Sequence, residues 1–312
     1  MHEKKSERGN AMGSGSIEVL GLGYCGLDFS CLLPRIPIDD KVEALATLIQ
    51  GGGPSATAAC AAGRLGAKTA FLGAVGDDSR GTAILEAFKA DNVDASRVAI
   101  RKGAESPSAF CWTDAEGKRS IAWTRGSVKP LEASEVSEEL VASGKVLHLD
   151  GHQTAAAIQA AKFARKHGVT VSIDAGTVVP GIEELLELSD IVIASEKFIE
   201  RQLKTSDPVE AVKRLFGPNC RFAGVTLGSE GSYGYDGKSI LRQDSFKVDV
   251  VDTTGAGDTY HGAFVYKYVK GGSWQDCMKF AAAVAAMKCR AFGGRSGIPK
   301  LADAEAFLNE RS

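Results

Sequence analysis

Hydrophobic and polar positions along this chain follow two rhythms. Val146–Leu149, Val169–Ile173, Ile191–Ala194 and Phe222–Leu227 are short runs rich in Val and Ile, apolar at nearly every position. Strands covered on both faces read this way, because neither side of the strand meets water. Between the runs, Ala155–Lys166, Ile182–Leu188 and Val209–Phe216 read as helices. Earlier in the chain, Ile17–Leu20 and Thr69–Val75 read as strands, and Ala83–Ala90 as an amphipathic helix. Pro54–Leu65 reads as an alanine-rich helix with Pro in its first turn, where the missing N–H costs nothing. The alternation predicts a three-layer α/β/α domain around a mostly parallel sheet.

Two regions depart from that rhythm. Ser108–Thr113 and Arg119–Thr124 alternate polar and apolar around Asp114-Ala115-Glu116-Gly117, which predicts a hairpin in a small separate sheet. Phe110 and Trp112 share one face of their strand, and Ile121 and Trp123 share one face of theirs. A sheet this apolar needs a cover: a ligand, the main domain or a second copy of the chain. The C-terminal third predicts two long helices, Ala256–Lys270 and Ser273–Phe292, the second dense in small residues.

Composition narrows the function classes. The 312 residues are 44% hydrophobic and 24% charged, with formal net charge -2 and the 37 basic residues spread out rather than clustered. No basic patch suggests a nucleic-acid surface, and no apolar run suits a bilayer. The opening MHEKKSERGNAMGSGS is expected to be a leader or tag remnant, residues 1–16, outside a domain of 17–312. It lacks the apolar block of a secretory signal, so a cytoplasmic protein is expected. The seven cysteines, Cys25, Cys31, Cys60, Cys111, Cys220, Cys277 and Cys289, form no C-x-x-C pair and read as reduced thiols. The five histidines show no metal spacing, and His152 and His261 are candidates for lining a cleft.

Chemistry concentrates in Asp252-Thr253-Thr254-Gly255-Ala256-Gly257-Asp258-Thr259-Tyr260-His261-Gly262-Ala263-Phe264. The extended run Phe246–Val251 enters this stretch and a helix leaves it. Gly255-Ala256-Gly257 lets backbone N–H groups converge where a helix start already carries unsatisfied donors and partial positive charge. Such a junction suits phosphate oxygens. Asp258, in the first turn, would then act as general base toward an alcohol. Phosphoryl transfer requires little more than that positioning and charge stabilisation. Taken alone, G-A-G-D also fits a merely structural helix start.

The full string D-T-x-G-A-G-D-T resembles the signature of the ribokinase, or PfkB, family of sugar kinases. A second stretch, from Gly51-Gly52-Gly53-Pro54-Ser55-Ala56-Thr57 to Gly63-Arg64-Leu65-Gly66 and on to Gly73-Ala74-Val75-Gly76-Asp77-Asp78, resembles that family's upstream signature. Val225-Thr226-Leu227-Gly228 and Gly231 resemble its nucleotide-binding turn, and the likeness runs from about Ile17 to Phe307. It implies a ribokinase-like fold with a small β lid from about 35–50 and 107–125. It implies Asp258 as catalytic base, with Gly255, Ala256 and Gly257 as anion hole. Asp28, Gly52, Gly53, Thr57 and, on the lid hairpin, Arg119 would bind the sugar. Thr226, Gly228, Gly231 and Thr254 would bind ATP, which brings magnesium. Asp252 and Thr254, with carbonyls near Ala291 and Gly293, would hold potassium or another monovalent cation. Lid-to-lid packing would make a homodimer.

Within the family, His148-Leu149-Asp150-Gly151-His152, Phe246–Gly257 and Met287-Lys288-Cys289 resemble ketohexokinase and 6-deoxy-6-sulfofructose kinase. That leans the acceptor toward a ketose or modified ketose. Arg119 and Arg125 would either meet the acceptor or stay in solvent. Three departures from the family pattern matter: Thr57 stands where Asn is usual; Ser195-Glu196-Lys197-Phe198 replaces N-x-x-E; and the frequent cation-site Ser is shifted to the region of Ser296 and Gly297.

Other readings are weaker. Gly21-Leu22-Gly23-Tyr24-Cys25-Gly26 matches G-x-G-x-x-G, but Pro34 and Pro37 leave little room for the helix that a dinucleotide fold requires. No G-x-x-x-x-G-K-[ST] occurs. A nucleoside kinase shares the fold and base, and Phe110, Trp112 and Trp123 are aromatics that could stack a nucleobase. A non-catalytic sugar or nucleotide sensor would be expected to lack the base, yet Asp258 is present.

Overall fold

The structure is a computed structural model describing residues 17–115 and 119–311. The expected leader and the Glu116-Gly117 half of the expected hairpin turn lie outside the described residues. The chain begins with β1 (Ile17–Leu22), β2 (Gly26–Leu33), β3 (Ala46–Gly52), α1 (Pro54–Arg64), β4 (Thr69–Leu72), β5 (Ala74–Gly76) and α2 (Ser79–Ala90). It continues through β6 (Val93–Asp94), β7 (Ala99–Arg101), β8 (Ser108–Asp114), β9 (Arg119–Thr124), α3 (Glu138–Ala142), β10 (Gly144–Leu149) and α4 (Thr154–Lys166). Next come β11 (Thr170–Ala175), α5 (Ile182–Leu188), β12 (Ile191–Ser195), the single turn α6 (Glu196–Phe198), α7 (Pro208–Leu215) and β13 (Phe222–Thr226). Last are β14 (Ser232–Tyr235), β15 (Ile240–Gln243), α8 (Ala256–Val269), α9 (Trp274–Lys288) and α10 (Leu301–Asn309).

Nine strands form the main sheet in the order β15-β14-β13-β12-β11-β10-β1-β4-β6. Neighbours from β13 to β6 run parallel, and β14 and β15 extend one edge antiparallel. Side-chain alternation explains the apolar runs. Leu20, Leu22, Leu147, Leu149, Val192 and Ala194 enter one core with α4, α5 and α7. Their neighbours Val19, Val146, Ile191 and Ile193 enter the other with α8 and α9. Both faces are covered, so both sets are apolar. On the second face, small residues let helices touch: a Cβ on Gly262 of α8 would run into the Ala58 carbonyl of α1.

The expected strand Thr69–Val75 is two strands. β4 pairs with β1, Gly73 takes the chain out of the main sheet, and β5 pairs with β7. Phe246–Val251 makes no strand and is anchored at its end, where the Val251 and Asp252 amides donate to the Cys289 carbonyl at 2.8 and 3.2 Å. All seven cysteines are free and six are buried. Among the described residues, no helix is long and apolar enough to cross a membrane.

The second sheet has four strands in the order β3-β2-β8-β9, with β2 and β8 parallel and the other pairs antiparallel. β2 lies outside both expected lid pieces, and residues 35–45 form the loop between β2 and β3. Leu27, Phe29, Cys31 and Leu33 do alternate with Asp28 and Ser30, but a helix-less glycine run hides the start of that pattern. β2 also answers the Gly21–Gly26 motif, since Gly26 opens a strand where a dinucleotide site needs a helix. Phe110 stacks on Phe29 at 5.3 Å on the outer face. Ile121 and Trp123, paired with Cys111 and Ala109, lie on the opposite, inward face.

Candidate active site

Between the two sheets lies a cleft of about 580 Å³. It opens at the carboxyl ends of β11, β12 and β13, the place where open parallel sheets hold ligands. The small sheet contributes Asp28 from β2, Ala109 and Cys111 from β8, and Arg119, Ile121 and Trp123 from β9. Strand ends contribute Asp174, then Ser195-Glu196-Lys197, then Thr226 and Gly228. Helix starts contribute Gly53 and Pro54 of α1 and Thr254, Gly255, Gly257 and Asp258 of α8. His152 and His261 line it too.

The start of α8 is held by a frame of backbone bonds. Asp252 Oδ1 accepts the Thr254 amide at 2.8 Å and Oδ2 accepts the Gly293 amide at 2.9 Å. Gly255 has φ +75°, and a Cβ there would strike the Gly294 carbonyl, so only glycine fits. The Ala256 amide turns back to the Thr253 carbonyl at 3.2 Å. Among the described residues, the amides of Gly255, Gly257 and Asp258 have no protein acceptor. They are the orphan donors of a helix start, turned toward the cleft. Asp258, half-buried, lines the cleft beside them. Burial, and secondarily the nearby Asp174, push its carboxyl up to about 6.

Around Asp258 stands a histidine and carboxylate cluster. His261 Nε2 lies 3.3 Å from Asp174 Oδ1. Burial works against the Asp174 charge, but His261 and His148 hold its carboxyl below the usual range. His148 Nδ1 is 3.3 Å from Ser172 Oγ, and burial and His261 push His148 down to about 3. Asp150 accepts the amides of Tyr24, Ser55 and His152 at 2.9, 3.2 and 3.0 Å. Tyr24 packs on both Trp123 and His152 with ring centroids 5.8 Å apart, making an aromatic corner.

On the opposite wall, burial lifts the Asp28 carboxyl to about 6, with Arg295 drawing it down. A Cβ on Gly52 would meet the Asp28 carboxylate, which would have to move aside. Thr57 does not reach the cleft; its hydroxyl accepts Arg295 Nε at 3.0 Å. Arg295 Nη2 also donates to the Gly52 carbonyl at 3.1 Å, so it ties α1 to the Gly51–Gly53 turn. Arg119 Nη1 reaches the Thr253 carbonyl at 3.5 Å, bridging the small sheet to the α8 loop. Arg125 lies back from the cleft, over Trp123 at 5.4 Å.

Of the expected site residues, Asp28, Gly53, Arg119, Thr226, Gly228, Thr254, Gly255, Gly257 and Asp258 meet in this one cleft. Gly52, Thr57, Gly231, Ala256, Asp252, Ala291 and Gly293 do not line it. Gly231, at φ +90°, shapes the turn that presents Gly228, with its carbonyl accepting the Leu227 amide at 2.9 Å. Ser195 caps α6 by accepting the Phe198 amide at 3.2 Å. Sequence reasoning missed Asp174 and Arg295. Asp174 lies next to the carboxyl end of a parallel strand, and that position was the available signal. Arg295 sits in Gly293-Gly294-Arg295-Ser296-Gly297 with no periodicity to mark it.

Comparisons with known proteins point the same way. A family model described as pfkB family carbohydrate kinase matches residues 17–301. A nucleoside kinase from Methanothermobacter thermautotrophicus is 26% identical, with 92% of this chain and 94% of that protein covered. A fructokinase from Solanum tuberosum is 31% identical, with 84% of this chain and 83% of that protein covered. The structure of Arabidopsis thaliana ribokinase complexed with ribose and ATP superposes with a TM-score of 0.82 at 26% identity, covering 94% of this chain and 99% of that one.

Proposed function

Because the chain belongs to the pfkB family of carbohydrate kinases, we propose that it moves the terminal phosphoryl group of ATP to a hydroxyl of a ketose or modified ketose, with Asp258 as base. The observation that carries this reading is a carboxyl held near pKa 6 in the first turn of α8, beside helix-start amides with no protein acceptor. At neutral pH that carboxylate is ionised and basic enough to take the acceptor's hydroxyl proton as the oxygen attacks. The Gly255 and Gly257 amides stabilise charge on the transferring group. Ala256 sets the turn, its own amide being already engaged.

Asp28, against the space left by Gly52, orients the acceptor's other hydroxyls, and Arg119 joins it from the small sheet. Thr57 acts through Arg295 on that turn rather than by touching sugar. Thr226, Gly228 and Thr254 line the nucleotide end, with Gly231 shaping it. Among the described residues, no three His, Cys, Asp or Glu groups are gathered to hold a metal. Magnesium would arrive on the triphosphate and would neutralise phosphate charge there. The small sheet acts as a lid: Ile121 and Trp123 are 47% and 52% exposed on its inner face, and closing over the acceptor would cover them and exclude water. Its outer face, with Phe110 and Ile49 44% and 61% exposed, is where a second copy would dock. Free, mostly buried cysteines fit a reducing cytoplasm.

A panel of ketoses, aldoses, sugar acids, sulfo-sugars and nucleosides, read by ADP release with ATP and magnesium, tests the reading. A ketose or sulfo-ketose is expected to give the highest kcat/KM. Turnover of nucleosides alone would overturn the ketose assignment in favour of a nucleoside kinase. The Tyr24–Trp123–His152 corner specifically favours that alternative, since it offers a nucleobase flat faces. ATP binding without any turnover would instead favour a sensor.

A further inference from the structure

The ammonium of Lys288 is a buried charge beside the α8 loop that the reaction above does not use. Lys288 ends α9, is fully buried, and its Nζ donates to the Asp252 main-chain carbonyl at 2.7 Å. Beyond the bond from its amide to the Cys289 carbonyl, Asp252 is thereby held at three further points. Its carbonyl takes Lys288, and its two carboxylate oxygens take the amides of Thr254 and Gly293. The chain after α9 lies tightly over the lysine, since a Cβ on Gly297 would strike the Lys288 carbonyl. A buried ammonium is costly unless opposite charge and acceptors surround it. A methionine of similar length would avoid that cost, so the charge itself has a use. A compact cation on the Asp252 carbonyl polarises the Asp252–Thr253 peptide that leads into the cradle and adds fixed positive charge beneath the cradle's outward amides.

The same loop is where the family resemblance places a monovalent cation, on Asp252, Thr254 and carbonyls near Ala291 and Gly293. These residues do not fit one here. Both Asp252 carboxylate oxygens are engaged by amides, and a second buried cation would face the ammonium across low-dielectric protein, where like charges repel strongly. We infer that Lys288 is a positioning residue that takes the place of the dissolved monovalent cation, so that this protein carries its own fixed charge under the cradle. The inference rests on the kinase reading of the cleft.

The test compares KCl, NH4Cl and tetramethylammonium chloride at equal ionic strength, reading the melting midpoint, ATP affinity by calorimetry, and ADP release. The unaltered protein is expected to give the same values in all three salts, within about twofold for affinity and rate. Lys288→Met is expected to weaken ATP binding and lower ADP release by about tenfold or more, with partial recovery in KCl or NH4Cl only. A potassium-specific rise in the midpoint or ATP affinity of the unaltered protein would overturn the inference. So would a folded Lys288→Met that keeps full ATP affinity and turnover in tetramethylammonium. If Lys288→Met does not fold, the unaltered protein decides by its salt response, and Lys288→Arg must remain indifferent to potassium. Failure of the kinase reading would look different: no ADP release with any acceptor in any salt.

Discussion

α1 and α8 bring their N-termini to the same cleft, and each starts at a glycine of positive φ with no side-chain cap. The resemblance ends there. At α1, Pro54 removes one donor, and the Ser55 amide is taken by the buried carboxylate of Asp150, which also ties down Tyr24 and His152. At α8, the frame below the loop uses Asp252, and the amides of Gly255, Gly257 and Asp258 are left free. One helix start gives its Ser55 amide to the protein's own anion and keeps only the Gly53 and Ala56 amides without a protein acceptor among the described residues, and the other keeps all three for a foreign one. A helix start is thus no site by itself. What decides is whether the fold supplies an internal acceptor for its donors.

The sharpest way to break this contrast is to remove the acid at the open end. Asp258→Asn should cut kcat by about 100-fold or more while ATP affinity, measured by calorimetry, stays within about threefold. Near-normal turnover would remove Asp258 from the role of base and leave the open end a binding feature only.

Acidification is the next largest effect. Asp258 and Asp28 both sit near 6, so kcat/KM should fall as pH drops through that value, about tenfold at pH 5 if Asp258 alone must be ionised. A limiting log slope of two would mean that Asp28 must be ionised as well. The stability dependence has the opposite sense. A carboxyl raised in the fold keeps its proton between pH 4 and 6 after the unfolded chain has lost its own, so stability falls as pH rises through that window. The slope of melting midpoint against pH should flatten in Asp258→Asn.

At the closed end, Asp150→Asn should act on stability. It puts an NH2 group against amides that now donate to carboxylate, a loss of about 1–3 kcal/mol, read as a melting midpoint lower by several degrees. Turnover should change less than about tenfold. A kinetic defect as deep as that of Asp258→Asn would show that the α1 end is catalytic too. The smallest effect belongs to Pro54→Ala, which restores one donor at α1 at a cost or gain of about 0.5 kcal/mol. Thermal denaturation and ADP release should both be nearly unchanged.

Much of this was legible in the chain. The fully apolar runs mark a parallel sheet because both of its faces are buried, and the D-T-x-G-A-G-D string marks a helix start beside an acid because glycine there is a backbone requirement. Strand β2 was less legible, since Gly21–Gly26 imitates another motif and only Gly26 pairing with Gly52 reveals the strand. Thr57 looked like a sugar ligand until Arg295, far along the chain, took its hydroxyl. Local pattern therefore determined most of the elements, the three-layer arrangement and which acid sits at the helix start, because each depends on neighbours a few residues away. Tertiary structure alone decided which helix start stays open, which charge sits beneath it and which carboxyls rise toward neutrality. Those outcomes depend on burial and on partners such as Asp150, Lys288 and Arg295, whose positions in the chain carry no sign of what they will meet.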